Sequence, residues 1–230
     1  LNVEALESFL LGYDSNEKQF LLHGFREGFS IPYTGQNNFS WHDNHSSVKQ
    51  NIEIMEQAIH NELSKSRIAG PFQKPPFSNM QISPLGLVPK KEPGEYRVIH
   101  DLSYPFGNSI NAHIPREFTS VQYESFDKFV ELLMSYGHGA LIAKTDVESA
   151  FRLIPINPND YNLLGFTFQG AYYYDKCLPM GCSISCQLFE RFSRALVWIL
   201  KDKFGVIDVW HILDDFVFIG PSNVACDDKL

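Results

Sequence analysis

The stretch HILDDFVFIG, residues 211–220, constrains this chain more than any other. Two adjacent aspartates, Asp214 and Asp215, stand between two short apolar runs, 209–213 and 216–219. Each run reads as a buried strand, which puts the carboxylates at the turn of a β-hairpin. Asp is a common turn residue, and a solvated turn is one reading of the pair. A carboxylate beside a hydrophobic core is also costly unless a cation pairs with it, and hard oxygen ligands suit Mg²⁺. The decapeptide alone leaves both readings open. Successive strand residues point to opposite faces, so the two are unequal as ligands; Asp214 is the expected principal ligand and Asp215 its support.

The 230 residues, 44% hydrophobic and 20% charged, suffice for one domain or two small lobes with a substantial core. No apolar run approaches the ~18 residues of a membrane span, and the acidic, amphipathic opening LNVEALESFLLGYD is unlike a signal peptide. The expectation is an intracellular protein of cytoplasm or nucleus, not secreted and with no membrane partner. With a first residue other than Met, the expectation is a fragment or a processed product. The net charge of −8 argues against gripping nucleic acid through a broadly basic surface, while leaving room for a local basic groove. Cys177, Cys182, Cys186 and Cys226 lack the paired spacing of a zinc site and are expected to be small buried residues. His42 and His45 fall in a polar loop, 35–46, with no further Cys or His close by, and are expected to be loop residues, not metal ligands.

Residues 1–30 have helical periodicity broken at Gly12 and Gly28. A helix is expected from Val48 to about Ser66, capped by Ser47, with Val48, Ile52, Met55, Ile59 and Leu63 as its apolar stripe. The Pro- and Gly-rich segment 70–86 excludes regular helix and leads into strand-like 85–91 and 95–102. Glu92-Pro93-Gly94 between them is a tight-turn signal, giving an antiparallel hairpin with Lys90, Lys91 and Arg97 near its tip. Residues 123–136 form an amphipathic helix stopped by Gly137 and Gly139. Leu141 to Thr145 reads as a buried strand with Asp146 at its C-terminal end. Runs 163–168 and 171–178 flank Gly170 as a further hairpin, and the Pro179-Met180-Gly181 loop opens a helix from about Ser183 to Lys201.

If the strand before Asp146 lies beside the 211–220 hairpin, three carboxylates converge at one sheet edge. Such a cluster suits two metal ions about 3.5–4 Å apart, as in in-line phosphoryl transfer. Lys90, Lys91 and Arg97 read either as a solvated hairpin tip or as cations for a triphosphate, Arg offering a planar fork. Gly181 would let backbone approach a ligand closely.

KTDVESAF, LPMGCSISCQLFE and HILDDF, in this order and spacing, resemble the three core palm motifs of reverse transcriptases. SPLGLVPKKEPGEYRVIHDLS resembles the fingers hairpin of the same enzymes, and YYYDKCLPMG with GPFQKPPF is most similar to retrotransposons of the DIRS and Ngaro type. The resemblance covers residues 70–220; the first 70 are less specifically similar to the segment preceding the polymerase in those elements. It implies an α+β right-hand polymerase with fingers and a ferredoxin-like palm sheet, helices on one face, and a thumb outside these residues. The implied division is an N-terminal helical extension, 1–69, and an incomplete fingers/palm domain, 70–230.

The resemblance further implies an RNA-directed DNA polymerase core using two Mg²⁺ ions, Mn²⁺ being a substitute. Asp146, Asp214 and Asp215 match the catalytic carboxylates and the Val147 carbonyl a further metal ligand. Phe151 matches the aromatic gate against a ribose 2′-hydroxyl. Lys90 (or Lys91) and Arg97 match the triphosphate pair, and Met180 and Gly181 the residues beside the incoming nucleotide. Implied partners are an RNA or DNA template-primer, deoxynucleoside triphosphates, and further polymerase, RNase H or recombinase segments of a parent polyprotein. Ile212 stands where Tyr is usual and Met180 where Gln is usual; neither change removes a metal ligand. A catalytically inactive remnant or binding module that keeps the fold is the competing expectation. An unrelated two-metal nuclease would leave the cationic hairpin and Phe151 unexplained.

Overall fold

The structure is a computed structural model and describes residues 1–221. In chain order the elements begin with helices α1 (Val3–Phe9) and α2 (Ser15–Glu27), strand β1 (Ser40–Trp41), and helices α3 (Ser46–Gln50) and α4 (Ile52–Ser64). Strands β2 (Ile68–Phe72), β3 (Gln81–Ile82), β4 (Leu85–Pro89) and β5 (Tyr96–His100) follow, then helix α5 (Phe126–Tyr136) and strand β6 (Leu141–Asp146). Strands β7 (Gly165–Phe168) and β8 (Ala171–Asp175), helix α6 (Ser185–Phe204), and strands β9 (Val209–Ile212) and β10 (Asp215–Gly220) complete the described chain. Two compact units result: one from residues 1–22, 120–150 and 186 onward, the other from 23–119 and 151–185.

The first unit is built on an antiparallel sheet of order β6-β10-β9. Phe216 and Phe218 alternate along β10 with Asp215 and Val217, so both rings fall on one face. There they are buried with Val206 and Val209 against Leu196, Val197 and Leu200 of α6. Helix α6 runs 20 residues, close to the expected 183–201, because its apolar positions Phe189, Phe192, Leu196 and Ile199 recur at helical spacing. Behind β9, His211 and Glu190 are both buried, with His211 Nε2 3.3 Å from Glu190 Oε1, and Arg194 reaches the same oxygen at 3.0 Å. Strand β6 departs from the expectation of a buried strand: Leu141 and Ile142 are 38% and 51% exposed. Among the described residues it is an edge strand with β10 as its one sheet neighbour, and an apolar run alone does not say whether its second face is covered.

The opening helices behave as their caps dictate. Asn2 Oδ1 accepts the Ala5 N–H at 3.0 Å, and Asp14 Oδ1 accepts those of Asn16 and Glu17. Gly12 separates the two helices at φ +97°. Arg191 of α6 holds Glu17 through two 2.9 Å bonds and lies over the Phe20 ring. Helix α5 starts at Ser125, whose hydroxyl accepts the Lys128 N–H, and stops at Gly137 with φ +69°.

The second unit holds a five-stranded sheet of order β1-β3-β7-β8-β2 and the separate β4–β5 hairpin. The β7–β8 turn places Gln169 and Gly170 at φ +47° and +78°, a pair of positive values that matches the strand twist. The polar loop 35–46, expected to be irregular, contributes the two-residue β1, parallel to β3. The expected helix over 48–66 is instead two helices broken at Asn51. Asn51 Nδ2 takes the Ser47 carbonyl at 2.9 Å, the acceptor its own N–H would use in a continuous helix, and that N–H turns to Val48. The Ser47 hydroxyl accepts the Leu87 N–H of β4 at 3.0 Å and caps nothing. Val48, Met55 and Ile59 are nonetheless buried as the stripe required, while Ile52 is exposed.

Among the described residues, no helix is long and apolar enough to cross a membrane. Cys177, Cys182 and Cys186 are free thiols, and burial pushes that of Cys182 up to about 12. Cys226 lies outside the described residues.

Candidate functional site

The carboxylate cluster lies in the first unit and follows from strand register. Asp215, first residue of β10, is the Cα partner of Asp146, last residue of β6, and also of Ile212 across the hairpin. The β9–β10 connection is therefore the two residues Leu213 and Asp214. Leu213 adopts φ +54°, a conformation that L side chains avoid at a cost of about 1–2 kcal/mol. The Val147 N–H donates to the Asp214 carbonyl at 3.1 Å, pinning the tip of the hairpin to the end of β6. Sequence separation of nearly seventy residues is closed by one sheet ladder.

The three carboxylates are not equivalent. Burial drives the Asp214 carboxyl above the ordinary carboxylate range, its own backbone amide opposes this, and the charges of Asp146 and Asp215 add to the rise. A side-chain hydrogen bond between Asp214 and Asp146 favours the protonated form further. Carboxyls brought together in this way are a place where a cation would be favourable. Asp215 is drawn elsewhere: Lys144 Nζ sits 2.9 Å from its Oδ1. Accordingly, among the described residues no three His, Cys, Asp or Glu side chains are gathered to hold a metal ion. The converging pair is Asp146 and Asp214, and Mg²⁺ commonly takes one or two carboxylates and completes its shell with water and substrate phosphate. The donor chemistry of this pair thus fits a hard divalent ion.

The other expected residues lie in the second unit. Lys90, Lys91 and Arg97 are exposed on the β4–β5 hairpin, whose turn is closed by Glu95 N–H to the Glu92 carbonyl at 3.2 Å. Pro93 in second place and Gly94 at φ +85° in third make it a type II turn. Lys90 Nζ pairs with Glu95 at 3.0 Å, both half-exposed. Met180 and Gly181 form a loop tied to the end of β5: the His100 N–H donates to the Met180 carbonyl at 2.9 Å, and Asn111 Nδ2 donates to the Gly181 carbonyl at 2.7 Å. Gly181 has φ +125°, and a Cβ there would lie 2.1 Å from the His100 carbonyl oxygen. The close backbone approach expected of this glycine is made to the chain itself.

Phe151 stands in a short 3-10 turn, Ala150–Leu153, beside Arg152. Arg152 Nη1 lies 2.7 Å from Asp175, its Nη2 lies 2.7 Å from Glu62, and Nη1 also donates to the Cys177 and Leu178 carbonyls. His100 completes this buried cluster, its Nδ1 2.9 Å from Asp175 and its Nε2 3.1 Å from the Gly165 carbonyl. Burial alone would raise the Asp175 carboxyl, but the Arg152 charge and the His100 bond outweigh it and hold the group below the ordinary range.

The sequence reading missed Lys144, Arg152, Asp175 and His100. Lys144 had a signal: two residues before Asp146 on a strand, it shares that residue's face. The other three come from separate elements, and no spacing relates them. His45, expected to be a loop residue, lies in the loop before α3 with Nε2 2.8 Å from Asp101.

No protein-family model matches the chain, and no curated protein matches it. Solved structures do. The chain is similar to the foamy viral protease–reverse transcriptase in complex with double-stranded DNA, at a TM-score of 0.60 and 18% identity over 96% of this chain and 38% of that one. It is similar to the native prototype foamy virus protease–reverse transcriptase at 0.58 and 18%, over 96% and 29%. For the foamy viral enzyme in complex with an RNA/DNA hybrid the values are 0.59 and 16%, over 97% and 30%. The chain therefore spans less than half of each of these proteins. Its fold is the mixed α+β fingers/palm fold of reverse transcriptases.

Proposed function

We propose that this chain is the fingers/palm core of an RNA-directed DNA polymerase from a retrotransposon of the DIRS or Ngaro type. The observation that carries the reading is the pairing of Asp146 with Asp215 in register, with Asp214 held beside them through the Val147 amide. Asp146 and Asp214 would hold the divalent ions, Mg²⁺ in the first instance or Mn²⁺, with the Val147 carbonyl adding an oxygen and Asp215 in support. When bound, two such ions activate a primer 3′-hydroxyl and neutralise the charge that develops on the leaving pyrophosphate.

The chain's own residues supply the rest of the chemistry. Lys90 (or Lys91) and Arg97 are cations suited to a triphosphate, the Arg guanidinium as a fork and the Lys ammonium as a mobile point charge. Phe151 is the ring that would exclude a ribose 2′-hydroxyl, and Met180 and Gly181 would lie against the incoming base. The parent protein would carry thumb, RNase H or recombinase segments and work in cytoplasm or nucleus on an RNA or DNA template-primer.

Primer extension on an RNA template, by the polypeptide carrying this segment, tests the reading. Asp146→Ala and Asp214→Ala should each abolish deoxynucleotide addition while the fold is kept. Extension that survives both substitutions would sink it. The engagement of Asp215 by Lys144 favours a second reading, a remnant that keeps the fold without the chemistry. Mn²⁺ titration separates the two, since a decayed site has no binding that depends on Asp146.

A further inference from the structure

We propose that Lys144 is the resident counter-ion of the carboxylate cluster, holding Asp215 and competing with the divalent ion for it. The inference rests on the reading of that cluster as a metal site. Lys144 and Asp146 are two apart on β6 and share a face, and Asp215 is the cross-strand partner of Asp146. Asp215 is therefore the diagonal neighbour of Lys144, within reach of a long side chain, and the two meet at 2.9 Å.

One cation thus stands where Asp146 and Asp215 meet in register. Without it, these two carboxylates would face each other across the ladder with no lysine between them and water. A lysine suits a replaceable counter-ion: its ammonium is a point charge with freely turning donors, on a stem that is 60% exposed and able to swing into water. Arginine, a rigid fork that matches both carboxylate oxygens, would hold Asp215 more tightly.

The test is Mn²⁺ binding, followed by electron paramagnetic resonance and by the rise in Tm on adding Mn²⁺ to the unsubstituted chain, Lys144→Gln, Lys144→Arg and Asp146→Asn. Removing one positive charge at contact distance should tighten Mn²⁺ binding in Lys144→Gln by roughly threefold to tenfold. The Mn²⁺-dependent rise in Tm should grow to match. Lys144→Arg should bind no more tightly than the unsubstituted chain. An affinity in Lys144→Gln within twofold of the unsubstituted chain, or an equal gain in Lys144→Arg, overturns the inference while leaving the metal site standing. Absence of Asp146-dependent Mn²⁺ binding in the unsubstituted chain overturns both.

Discussion

Asp146 and Asp215 face each other as direct cross-strand partners at the end of the β6–β10 ladder, so two like charges share one register position. Like charges directly opposite destabilise a sheet, and the pair persists beside Lys144 at 2.9 Å from Asp215.

Asp146→Asn removes one charge without changing shape. It should lower deoxynucleotide addition by at least about a hundredfold while leaving stability to urea within about 0.5 kcal/mol, since Asp146 is exposed. Primer extension and equilibrium unfolding read the two arms. A loss of activity that tracks a loss of fold would remove the argument for chemistry at this position.

Glu95→Gln frees Lys90 from its exposed partner. Exposed pairs contribute about 1 kcal/mol at most, so stability should barely move. If Lys90 meets a triphosphate, KM for deoxynucleotide should fall by roughly twofold, and Lys90→Ala should raise it. Steady-state kinetics at two salt concentrations would measure this, and an unchanged KM in both variants assigns the role to Lys91 and Arg97.

Gly181→Ala sets a methyl against the His100 carbonyl oxygen in a backbone conformation unfavourable to any side chain. The expected loss is about 2 kcal/mol or more, visible as a lowered urea midpoint. Gly94→Ala, where a Cβ meets nothing within 4 Å, keeps the backbone strain without the clash and should cost less.

Asp175→Asn breaks a buried ion pair, leaving Arg152 with Glu62 as its carboxylate partner and His100 Nδ1 without its own, for a loss of about 3 kcal/mol. The pH dependence has a definite sign. Arg152 and His100 hold the folded-state carboxyl of Asp175 below its unfolded value despite burial. His211 and Arg194 do the same for Glu190 against its burial. Their stabilisation is complete above the unfolded carboxylate values of about 4 and is lost as pH falls through the lower folded values. Urea midpoints measured from pH 7 down to pH 3 should therefore fall, and less steeply in Asp175→Asn.

Local sequence was enough to determine much of this protein. Glu92-Pro93-Gly94 specified its type II turn, Gly137 the stop of α5, and alternating Phe216 and Phe218 the buried face of β10. Each is decided by backbone conformation or by a two- or three-residue period, quantities that neighbouring residues set among themselves. Tertiary structure decided the rest, because it depended on partners far along the chain. Leu141 and Ile142 are apolar enough to be buried, but only sheet order makes β6 an edge. Ser47 had the chemistry of a cap until the Leu87 N–H of β4 claimed its hydroxyl. Asp214 and Asp215 are legible as a pair within residues 211–220 alone. That Asp214 turns toward Asp146 while Asp215 is held by Lys144 was decided by the register of two strands nearly seventy residues apart, since charges interact through space and not along the chain.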